Sequence, residues 1–173
     1  MPTCTTGWLN GDQEVIVSKR SLFLAAAGPV AVGAILAARS GDPSAIAAAP
    51  AIVFGVVAAT SPALYIGITA VGKSPPLASV ARAFVIALGA FGLALAGLVL
   101  PAAFLSLSSV AAVTSIAVCS GALAGAGALA LWRLRGELAA KTFAGDVVFG
   151  IWALATVGIA GRLWWDLASE VVS

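Results

Sequence analysis

From residue 83 to residue 132 the chain runs for fifty residues without a single Lys, Arg, Asp or Glu. As one continuous helix this run would extend about 75 Å, more than twice the ~30 Å hydrocarbon thickness of a bilayer. It must therefore lie in a membrane and fold back once. The turn is expected in "PAAFLSLSS", where Pro101 weakens helix continuation and Ser106, Ser108 and Ser109 can cap a new start.

The rest of the chain divides in the same way. Of 173 residues 61% are apolar and 19 are Gly, against 9 basic and 7 acidic residues, far from the usual soluble balance. At roughly 20 residues per crossing, little is left for a separate soluble domain. Charges and turn residues place spans at 21–38, 50–71, 83–103, 109–131 and 146–165. The fold expected is an all-α polytopic bundle of five transmembrane helices, with a polar tail over 1–20 and a short tail over 166–173. An alternative treats 21–38 as a cleaved signal sequence, because a basic entry precedes a short apolar core. Against it stand the long polar leader and the charge alternation of every later loop.

Orientation follows from the basic residues, which short cytoplasmic loops retain. With the N-terminus inside, that side holds Lys19, Arg20, Lys73, Arg82, Arg133, Arg135 and Lys141, and the other only Arg39 and Arg162. The expectation is N-in and C-out in a cell or inner membrane. Trp132 and the Trp164-Trp165 pair then fall at opposite borders, as an aromatic belt requires, and Trp152 lies deeper as lipid-facing bulk.

Two segments are ambiguous. In the tail, Asn10-Gly11 between Trp8-Leu9 and "EVIVS" is a hairpin signal, and a flexible tail is the alternative. In "WRLRGELAAKTFAG", Arg133, Glu137 and Lys141 follow at spacings of four, which suits a short interfacial helix. A simple extension of the fourth helix to about Gly136 suits it equally.

The composition also excludes several functions. No basic surface exists to neutralise nucleic-acid phosphates. The chain has no His, and its two Cys, Cys4 and Cys119, stand far apart. No metal, redox cofactor or disulfide is expected. No span has a central ionisable group of the kind that couples transport to an ion. Asp146 suits a helix start, and Arg162 with Asp166 suits an i,i+4 pair near a helix end. No nucleophile, base or paired carboxylate is placed for catalysis, so an enzyme is not expected.

Two features remain. In the second span Pro62 cannot donate to the carbonyl of Ala58, and Thr60, Ser61 and Tyr65 cluster about the break. These four could form a ligand or gating site for a small neutral solute, or could re-satisfy the backbone that Pro62 frees. The second feature is small residues at helical spacing, which permit close helix approach in lipid. They are Ala25, Pro29, Gly33 and Ala37 in the first span, Gly89 and Gly97 in the third, Ala117, Gly121 and Gly125 in the fourth, and Gly150 and Gly158 in the fifth. Ser115 and Cys119 add a polar side to the fourth, able to bond to a neighbouring helix or to its own carbonyls.

Three functions fit this chain. It is expected to be a structural or accessory subunit of a membrane assembly, partnered by lipid and by other membrane subunits or copies of itself. The alternatives are a permease or transporter component for a neutral or apolar solute, and a regulatory or trafficking protein. Five spans with a cytoplasmic N-terminus, together with "TSPALYIGITAVGKSPP", resemble the Yip1-like membrane proteins in outline. That resemblance implies a helical bundle of similar topology and transfers no site residue.

Overall fold

The computed structural model describes residues 9–71, 75–108, 111–138 and 142–172. Among these lie five helices: α1 (Leu9–Ser40), α2 (Ser44–Ala70), α3 (Leu77–Ser108), α4 (Ala112–Leu138) and α5 (Phe143–Val172). The chain is all-α. Four of the helices, α2 to α5, are long and apolar enough to cross a membrane, and α1 contributes a shorter apolar stretch, Ala25–Ser40.

Several helices run past the borders expected for them. The segment containing Asn10-Gly11 is the first part of α1 and not a hairpin. A two-stranded ribbon would leave its outer backbone groups unpaired, whereas a helix satisfies them internally. Pro101 likewise sits inside α3, which continues to Ser108. Losing one N–H to a Pro ring costs less in lipid than unwinding a turn and exposing several backbone groups, so the reversal waits until after the serines. Ser108 then donates back to the carbonyl of Phe104 at 2.6 Å. At the other end of the fourth span α4 extends to Leu138, and α5 covers most of the expected C-terminal tail. The expectations for Trp8, Lys73, Ser109 and Lys141 lie outside the described residues.

The α1–α2 connection is three residues long. Gly41 takes φ +75, the left-handed conformation that favours Gly, and its N–H returns to the carbonyl of Ala37 at 2.9 Å. Asp42 accepts from both the hydroxyl and the N–H of Ser44 at the start of α2. Those bonds hold its carboxyl below the usual carboxylate range.

In lipid, packing depends on close backbone approach, and α1 shows this directly. Ala25, Pro29 and Gly33 are buried and Ala37 is half-buried on one face. A Cβ added to Gly33 would come within 2.5 Å of the Ala45 carbonyl oxygen and 2.9 Å of the Ile46 Cα. The α1–α2 contact therefore runs backbone to backbone. Gly28 makes room for α3: a Cβ added there would come within 2.8 Å of the Leu95 Cβ.

By contact the helices follow one another in the order α5, α2, α1, α3, α4. Their buried side chains form two layers. One joins Val32, Ile35 and Leu36 of α1 to Phe91 and Leu95 of α3 and to Cys119, Ala122 and Ala126 of α4. The other joins Leu64 and Ile68 of α2 to Ala83 and Ala87 of α3, Leu134 of α4, and Phe149 and Trp152 of α5. The circle closes only loosely between α4 and α5, and this looseness makes the cleft described next.

Candidate binding cleft

Two polar bonds hold α4 against α5, one near each end. The indole N–H of Trp164 donates to the Ser120 hydroxyl at 2.7 Å. Arg135 Nε donates to Asp146 Oδ1 at 3.1 Å, an ion pair between an exposed Arg and a partly buried Asp. Between these clasps the helices stand apart, and a cavity of about 520 Å³ opens among α2, α3, α4 and α5.

Its lining is almost wholly apolar, with Val56, Leu88, Leu123, Leu131, Trp152 and Trp164 among its walls. Small residues on the facing helices create the room, notably Ala124, Gly127 and Ala128 of α4 and Ala160 and Gly161 of α5. Ala124, Ala128, Val157 and Gly161 line the cleft and are also exposed, so they form its rim, between α4 and α5. The hydroxyls in the lining are those of Ser120 and Thr156.

Thr60 stands behind Thr156. The Thr156 hydroxyl donates to Thr60 Oγ1 at 3.2 Å, and Thr60 Oγ1 donates in turn to the Val56 carbonyl at 2.8 Å. The Thr60 carbonyl accepts from the Trp152 indole N–H at 2.8 Å. Trp152 is thus buried in the α2–α5 contact, against Phe84 edge-on at 6.0 Å between ring centroids and Phe149 at 5.7 Å. The expected lipid-facing position is corrected: a bilayer core has no acceptor for an indole N–H, and the α2 backbone provides one.

The other residues about the helix break do not reach the cleft. Ser61 donates to the Ala58 carbonyl at 3.2 Å, the acceptor that Pro62 leaves without an N–H. Pro62 itself is exposed and Tyr65 half-buried, and neither lines the cavity. Of the four residues singled out from the sequence, the structure bonds Thr60 to the lining residues Thr156 and Trp152 from behind and keeps Ser61, Pro62 and Tyr65 away. Among the lining residues outside the sequence-based candidates are Trp152, Thr156, Ala160 and Trp164. Their spacing of four marks one stripe along α5, in which aromatic, hydroxyl and small side chains are mixed.

The small residues of the other helices are placed as follows. Gly89 is half-buried in α3 and Gly97 is exposed. Ala117, Gly121 and Gly125 are exposed along one face of α4, Gly150 of α5 is half-buried and Gly158 is exposed. At Gly97, Gly121, Gly125, Gly150 and Gly158 a Cβ would meet no described atom within 4 Å. Near the α3–α4 turn, Ser115 donates to the Ser106 carbonyl at 3.0 Å, and Cys119 lies 4.0 Å from the Ser106 hydroxyl, all three fully buried. The polar side of α4 is therefore bonded across to α3. Among the described residues no three His, Cys, Asp or Glu side chains gather as a metal site would require.

No protein family, curated protein or solved structure matches the chain.

Proposed function

We propose that this multi-pass membrane protein is a non-enzymatic accessory subunit of a membrane assembly, inserted as five spans with its N-terminus in the cytoplasm and its C-terminus outside. Orientation rests on the basic residues, and the fifth span rests on joining the apolar stretch of α1 to the residues before it. The docking face is the line of Ala117, Gly121 and Gly125 on α4.

One contrast supports this reading. The spacing of small residues in α1 is taken up inside the bundle, where Gly33 meets the backbone of α2. The same spacing in α4 faces outward, and Gly121 and Gly125 have open space where a Cβ would be. A membrane helix gains from such a face when another helix lies against it. Gly121→Leu and Gly125→Leu are expected to release the partner, or the second copy, in mild detergent. The monomeric bundle should survive, because nothing inside it occupies that space. Copurification and size-exclusion profiles of the two variants, unchanged from the parent, would remove the proposal.

A second reading, a component of a permease for a neutral or apolar solute, is favoured by the cleft and by the Thr156 hydroxyl in its wall, which Thr60 backs. Solute uptake into vesicles with and without Ala160→Leu, which reduces the cavity, separates this reading from the first.

A further inference from the structure

We infer that the cleft between α4 and α5 holds one acyl chain of a membrane lipid as a resident part of the bundle. The inference is independent of the assembly role, since Ala117, Gly121 and Gly125 do not line the cleft.

The dimensions select the occupant. On α4 the lining runs from Ser120 to Leu134, which is about 21 Å of helix and most of the ~30 Å hydrocarbon depth. The Trp164–Ser120 and Arg135–Asp146 bonds close the cleft at its two ends. A partner's helix, which needs about 30 Å to cross the hydrocarbon, would have to break them to lie along α4 and α5, whereas an extended hydrocarbon chain fits between them.

Its chemistry agrees. Water needs two to four polar partners in a cavity, and the lining presents the Ser120 and Thr156 hydroxyls alone, one accepting from Trp164 and the other donating to Thr60. An apolar void left empty loses dispersion contacts all along its walls. Facing Ala and Gly residues would ordinarily let two helices close on each other, yet the Trp164–Ser120 and Arg135–Asp146 clasps tie α4 and α5 at the two ends and the middle remains open. A lipid chain can enter sideways past the exposed rim of Ala124, Ala128, Val157 and Gly161, without its headgroup leaving the interface. In a bilayer, acyl chains are the most concentrated apolar filler available.

The test uses the full chain reconstituted alone in phosphatidylcholine vesicles that include a phosphatidylcholine with a diazirine midway along one acyl chain. After photolysis, labelled positions are mapped by mass spectrometry. Labelling is expected at Thr156 and Ala160 of α5 and Gly127 of α4, above the level at outward Leu154, which is 77% exposed. Ala124→Phe at the rim and Ala160→Leu inside should each abolish labelling at Thr156 and leave Leu154 labelled as before. Ala124 is exposed, so its variant does not challenge folding. Labelling at Thr156 no stronger than at Leu154 would overturn the inference. So would labelling there that persists in both variants, or chain-to-chain crosslinks in place of lipid, which would make a second copy the occupant.

Discussion

The Trp152 indole N–H donates to the backbone carbonyl of Thr60 across the α2–α5 contact, at 2.8 Å. It is a bond from a side chain to a main-chain oxygen within a helix already carrying a Pro two residues on, and it pins the cleft wall to α2. Trp152→Phe keeps most of the ring packing against Phe84 and Phe149 and removes the donor. The expected loss is about 1 kcal/mol of bundle stability, measured by denaturant titration in detergent micelles. Trp152→Ala should cost about 3–5 kcal/mol, since it also empties the layer.

How much of this was legible beforehand differs by residue. The five helices could be read from charges and turn residues together: charges bracket most of them, and Pro101 with the serines after it divides the charge-free run into α3 and α4. A close-packing face on α1 was legible in Ala25, Pro29, Gly33 and Ala37, which recur at helical spacing, but not that α2 is the neighbour there. Which small-residue faces are buried was not legible: α1 and α4 have the same pattern, and only the three-dimensional order of helices puts one inside and the other outside. The cleft was half legible. Thr60 could be suspected from the Pro62 break, but Trp152 and Thr156 stand 92 and 96 residues away along the chain, and no local periodicity reports a contact at that separation.

Gly33 and Gly125 offer a direct comparison of two glycines on small-residue faces. Gly33→Ala forces a methyl against the Ala45 carbonyl and the Ile46 backbone, so the α1–α2 hairpin must open, at a cost of about 1–3 kcal/mol. Gly125→Ala meets no described atom and should stabilise α4 slightly through helix propensity. Thermal aggregation midpoints of the two purified variants should therefore move in opposite directions from the parent's.

The proposed topology makes four separate expectations. Reporter fusions after Ser74 and Gly136 should report the cytoplasm, and fusions after Gly41 and Ser173 the opposite side. A cytoplasmic signal at Ser173 would overturn either the crossing by α5 or the orientation, and the Gly41 fusion decides which: a cytoplasmic signal there too means an inverted bundle.

The assembly role is tested most directly by site-specific photo-crosslinking in native membranes, with a photoreactive residue placed at Gly121 and, separately, at Leu154. Both positions are exposed, so both meet whatever surrounds the bundle. A discrete crosslinked protein band at 121, absent at 154, is the expected result. Lipid adducts alone at both positions would contradict it and leave the outward small-residue face of α4 as a lipid-facing surface.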